Sequence, residues 1–127
     1  MISRSAAPLL VLATLISGCA TTTKRAAVVN HPVFFVLNDP SDAAELIDDC
    51  DQLIASIPEV SSYYCGRPVD TGRATVLSDY DVGLYVGFDS LQDYAAYVDH
   101  PNHIEIVEKW RPRAEVIAVR DVLDDTP

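Results

Sequence analysis

Among the side chains best suited to chemistry, this sequence holds three histidines and three cysteines. Two of the histidines, His100 and His103, flank a proline. The residue before a proline avoids the α region, so a helix must end at His100, and Pro101 is well placed to open a new one at its first position. His103 is then the third residue of that helix. The partial positive charge of a helix start disfavours an imidazolium, so His103 is expected to be neutral at pH 7 and able to accept a proton. His100 has the place of a side chain that caps the helix or contacts Asp99. The two histidines could join His31 or Glu105 around a zinc-like ion, but Pro101 between them spoils the geometry, so no metal and no cofactor is expected.

The cysteines divide into one and two. Cys19 follows Ile16-Ser17-Gly18, just after the apolar stretch 6–16 and the lone positive charge of Arg4. A bilayer span needs about 20 apolar residues, so this stretch is too short to cross and fits the core of an export signal. The small residues before Cys19 resemble the lipobox of bacterial lipoproteins, in which the cysteine thiol receives diacylglycerol. The expectation is a signal at 1–18, a lipidated tether at 19–27, and a domain held at the lipid bilayer by acylated Cys19. It lies on the exported side of the cell envelope. Ala20 rather than Asp directs it to the outer membrane where there are two. Cys50 and Cys65 remain. An oxidising location permits a disulfide between them; two buried free thiols acting as small apolar residues is the alternative.

Charge narrows the function. Lys and Arg total 9 against 19 Asp and Glu, a net charge of −10. An acidic surface without a basic cluster repels phosphates, which argues against nucleic acid as a partner. A hydrophobic content of 49% supports one packed domain.

The elements that must position these residues follow from periodicity. Residues 28–37, rich in Val and Phe, read as a strand. From Ala43 to Ile57 the apolar residues Ala43, Leu46, Ile47, Cys50, Leu53, Ile54 and Ile57 share one helical face, and Pro58 ends the run. Strands are predicted at 60–67 and 80–88, a helix from Leu91, a second after Pro101 closed by Pro112, and a last strand at 115–123. Residues 124–127 form a polar end. The order β-α-β-β-α-β predicts an α+β, ferredoxin-like subunit with helices on one face of a four-stranded antiparallel sheet. The other sheet face is left bare, so a homodimer built sheet to sheet is expected.

Several motifs then coincide. His31 at the start of the first strand, Asp81-Val82-Gly83-Leu84-Tyr85-Val86-Gly87-Phe88, Tyr97-x-x-His100-Pro101-x-His103 and Arg111-Pro112 together resemble the stress-responsive A/B barrel (Dabb) family. The similarity covers about residues 28–123 and implies the dimeric α+β barrel. The sequence departs from the family in having Val36 and Leu37 where a lysine is common, and Pro32 directly after His31, which suggests that His31 sits at a strand edge or entrance. In a plant polyketide cyclase of this family the second histidine of the block resembles a catalytic base, assisted by the tyrosine six residues earlier. The resemblance thus makes His103 and Tyr97 catalytic candidates, and His31, Tyr97, His100 and His103 candidates for lining a ligand site. Three functions are compatible: a module binding a small apolar or aromatic molecule, a cofactor-free cyclase or oxygenase-like enzyme, and a structural or assembly protein.

Overall fold

The computed structural model of the chain describes residues 24–126; the signal at 1–18 and Cys19 lie outside the described residues. Strand β1 (Val29–Leu37) shows the alternation that a half-covered strand requires. Val29, His31, Val33, Phe35 and Leu37 are buried on one side, and Asn30, Pro32, Phe34 and Val36 are half-exposed on the other. Asp39 then accepts the Ser41 N–H and starts a 3-10 turn that runs into helix α1 (Ala43–Asp49). The helix predicted to run unbroken to Ile57 instead leaves the α ladder at Cys50. A π turn spans Cys50–Ile54, and the Ala55 N–H reaches back to the Cys50 carbonyl.

Strands β2 (Ser62–Gly66) and β3 (Val82–Phe88) are shorter than their sequence patterns, and the loop between them is mostly exposed. Ser90 caps helix α2 (Leu91–Val98) by accepting the Asp93 N–H. Pro101 opens helix α3 (Pro101–Trp110), as the sequence indicates. Strands β4 (Ala114–Val119) and β5 (Val122–Leu123) replace the single last strand.

The sheet order is β2-β3-β1-β4, with β5 continuing beside β1, and every pairing is antiparallel. This is the ferredoxin-like α+β fold. The core lies between the sheet and the helices, where Leu46, Ile54, Val86, Phe88 and Trp110 are fully buried. One polar cluster ties α1 to α3. The Trp110 Nε1–H donates to Asp49 Oδ2 at 2.7 Å, and Lys109 reaches Asp49 at 2.6 Å and Glu45 at 2.9 Å. Arg113 lies over the Trp110 ring at 4.0 Å and forks onto both carboxylate oxygens of Glu45.

Pro32 is not at an edge. It lies in β1, the strand bonded on both sides, and its effect explains why the last strand is split. Its carbonyl accepts the Arg120 N–H at 3.0 Å, but proline has no N–H to return the bond. The ladder breaks at residues 120–121 and resumes at Val122 in the same register: Val33 faces Val119, and Asn30 faces Val122. His31 therefore lies across from Asp121.

The sheet face away from the helices carries aromatic side chains. Tyr64 stacks on Tyr85 with ring centres 4.8 Å apart, and Phe34 meets Tyr80 edge-on at 4.9 Å. Gly87 is required here by close approach: a Cβ at that position would lie 2.6 Å from the Ala27 Cβ where the incoming segment crosses the strand.

Candidate functional site

A cavity of about 580 Å³ opens between the β1–β4 half of the sheet and helices α2 and α3. Apolar side chains make most of its wall, among them Val33, Phe35, Ile54, Leu84, Ile106 and Trp110. These positions follow from the two periodicities: alternate residues of the strands and one stripe of α3 point to the same space. Val119 and Ile117 of the edge strand β4 stand at the rim, where they are 42% and 38% exposed.

The polar groups gather at one end. His31 is 7% exposed, and its Nδ1 lies 2.6 Å from Asp121 Oδ1. A carboxylate only accepts, so Nδ1 carries the proton and the ring keeps Nε2 as its other polar atom. Tyr94 donates its hydroxyl proton to Asp121 Oδ2 at 2.9 Å, so a single carboxylate orients both side chains. Burial raises the Tyr94 hydroxyl above its ordinary range, and the acceptor Asp121 adds to that.

Tyr97 is fully buried, and its ring packs against Phe88 at 4.8 Å and His103 at 4.5 Å. Its hydroxyl has no hydrogen-bond partner among the described residues, and burial pushes it well above the ordinary tyrosine range. It is a neutral donor at any physiological pH. His103 is the third residue of α3, as expected, and its Nδ1 donates to the Val98 carbonyl at 2.9 Å. That bond leaves Nε2 as the lone-pair nitrogen. Its pKa lies below the ordinary 6.5, so the ring is neutral at pH 7. The direction matches the sequence argument, but the cause is different. Burial is the largest effect and the charges of His31 and His100 add to it, whereas the Val98 carbonyl works in the opposite sense.

The structure thus brings His31, Tyr97 and His103 to one end of one cavity. His100 is not among the cavity's lining residues. Its Nδ1 accepts the Asn102 N–H at 3.1 Å and caps α3, so its ring is committed to holding Pro101 and His103 in place. Cys50 and Cys65 are free thiols. Among the described residues no group of three or more His, Cys, Asp or Glu side chains is arranged to hold a metal ion. Sequence reasoning missed Asp121 and Tyr94. The signal for Asp121 was present in Pro32, whose missing N–H opens the ladder opposite it, but reading that signal needs the β1–β4 register.

The fold and site define a ferredoxin-like subunit with an apolar cavity whose histidine and tyrosine side chains meet at one end. Residues 29–124 match the model of the Stress responsive A/B Barrel Domain (Dabb), and the chain belongs to that family. It is 27% identical over 106 residues to the stress-response A/B barrel domain-containing protein DABB1 of Arabidopsis thaliana. That match takes in 80% of this chain and 50% of the relative, so the chain spans half the length of the curated relative it matches. A solved dimeric ferredoxin-like protein of unknown function from Thermobifida fusca superposes with a TM-score of 0.63 at 23% identity, over 75% of this chain and 89% of that one. The hydroxynitrile lyase of Passiflora edulis superposes with a TM-score of 0.66 at 18% identity, over 81% of this chain and all of that one.

Proposed function

We propose that this protein binds a small apolar or aromatic molecule in the sheet–helix cavity and recognises one polar group on it with His31, Tyr97 and His103. One observation carries the reading. An apolar cavity of about 580 Å³ ends at the Tyr97 hydroxyl, which pairs with no described residue, beside a neutral imidazole. A hydroxyl left open toward the cavity is free to donate to a ligand oxygen. The volume falls within the range usual for small-molecule sites, about 300–1,000 Å³. Trp110 is the only tryptophan of the chain and lines the cavity, so it is a built-in reporter. Titration with 4-pentylphenol should change its fluorescence along a saturating curve, and Val119→Phe at the rim should weaken that binding. A change that stays linear with probe concentration, and is indifferent to Val119→Phe, would count against a ligand site.

The pairing of Tyr97 with His103 favours a second reading, a cofactor-free cyclase or oxygenase-like enzyme. There His103 Nε2 would take a proton from the substrate, and the Tyr97 hydroxyl would donate to the oxyanion that develops. That the similar fold from Passiflora edulis is a hydroxynitrile lyase supports the capacity of such a scaffold for acid–base work. His103→Gln separates the readings: it ends turnover in an enzyme and only weakens affinity in a binder.

Two further parts of the proposal concern assembly and place. The aromatic face of the sheet, and the dimeric state of the Thermobifida fusca relative, support a homodimer that buries Tyr64 and Tyr85. The leader at 1–18 and Cys19 support a lipid-anchored protein of the cell envelope.

A further inference from the structure

Two cysteines reach the same core from different elements, one from the helix layer and one from the sheet. Cys50 is the first residue of the π turn and is fully buried. Cys65 lies in β2, opposite Leu84 and on the helix side of the sheet, where it is half-buried against the core. Both are free thiols, and each is the largest influence on the other's titration. Neither lines the cavity, but the turn that begins at Cys50 delivers Ile54 to its wall. A π turn in a short helix is uncommon and recurs at functional positions.

We propose that Cys50 and Cys65 are a dithiol–disulfide pair whose closure locks the cavity-wall turn to strand β2. The two sulfurs are not equivalent. The hydrogen bond from Cys50 holds the Cys65 thiol below its ordinary range, against the opposing effect of burial, while the same contact and burial push Cys50 up. Cys65 is also the more exposed of the two. It is therefore the attacking thiol. Its thiolate displaces one sulfur of a small disulfide such as oxidised glutathione, giving a mixed disulfide and one free thiol. Cys50 then attacks the Cys65 sulfur, its proton passing to the departing thiolate. Two protein thiols are oxidised, one glutathione disulfide is reduced, and both protons end on glutathione. Closure removes freedom from the unfolded chain and fixes the turn that carries Ile54. This inference does not depend on the ligand proposed above.

The test uses the full chain in glutathione buffers of rising oxidised fraction, quenched with acid, alkylated after denaturation and mapped by mass spectrometry. The expected product is a peptide pair linked through Cys50 and Cys65, lost again in dithiothreitol, with a melting temperature about 10 °C above that of the reduced protein. In Cys50→Ala a glutathione adduct should accumulate at Cys65, whereas in Cys65→Ala Cys50 should stay unmodified. Separate alkylation of both cysteines at full oxidation, or a linked form that melts no higher than the dithiol, overturns the proposal. An adduct on Cys50 in Cys65→Ala overturns the assigned order of attack.

Discussion

The two ends of the cavity are built from similar materials and used differently. At the Trp110 end every polar atom that matters is matched. Asp49 receives both the indole N–H and the Lys109 ammonium, and Glu45 receives Arg113 through two oxygens. At the Tyr97 end the matching stops one group short. Asp121 satisfies His31 and Tyr94, and Val98 satisfies one nitrogen of His103, but the Tyr97 hydroxyl has no partner among the described residues. A satisfied buried network specifies structure, and a hydroxyl left open toward a cavity is available to a ligand. The first end holds the fold together, and the second is the end proposed for recognition.

The largest effect should come from removing the anchor of the satisfied end. Trp110→Ala is expected to cost about 3–5 kcal/mol, the range for emptying a buried aromatic site. Asp49→Ala keeps the ring but orphans its N–H, with an expected cost of about 1–3 kcal/mol. Urea unfolding measures both. A loss from Asp49→Ala as large as that from Trp110→Ala would mean that the carboxylate, not the packed ring, holds α1 to α3.

Acid should separate the two ends. His103 sits below its ordinary 6.5 because of burial, so unfolding takes up a proton in the interval beneath 6.5. The stability linked to it is complete above pH 6.5 and falls as pH drops through its folded pKa. Glu45 is lowered from 4.5 to about 2, first by Arg113 and then by Lys109. Its contribution is complete above pH 4.5 and fades toward pH 2, an interval shared with Asp39 and Asp124, which are also lowered. A urea midpoint followed from pH 8 to pH 2 should fall in two stages. His103→Gln should flatten the upper stage alone, and Glu45→Gln should shrink the lower one. An upper stage untouched by His103→Gln would show that the ring is already solvated.

The fold could be read in advance because it rests on local signals. Alternation in β1, the apolar face of α1 and the proline at the start of α3 each declare an element without reference to the rest of the chain. The π turn at Cys50 could not be read, since the apolar spacing from Ala43 to Ile57 suits an uninterrupted helix equally well. Half of the site followed from the same local logic: Pro101 fixes His103 three residues into a helix, and the neutrality of the ring followed, though for the wrong principal reason. Asp121 was hidden because its role is set by register with a strand about ninety positions earlier, and pairing register is a property of the assembled sheet. Pro32 was misjudged for a related reason. A proline in a doubly bonded strand is unfavourable by rule, yet here its missing N–H creates the gap that frees Asp121 to turn to His31.

The smallest effect on stability should be the most informative about function. Tyr97→Phe removes one oxygen and leaves the ring that packs on Phe88 and His103. At a satisfied site this change would cost about 1 kcal/mol for the lost hydrogen bond. Here the oxygen has no partner to lose among the described residues, so stability should stay within about 0.5 kcal/mol of the parent. Binding should move the other way. If the ligand accepts from Tyr97, affinity for 4-pentylphenol, read by Trp110 fluorescence, should fall about tenfold, the equivalent of 1.4 kcal/mol. A variant that loses stability but binds the phenol as before would reverse the assignment, making the Tyr97 end as structural as the Trp110 end.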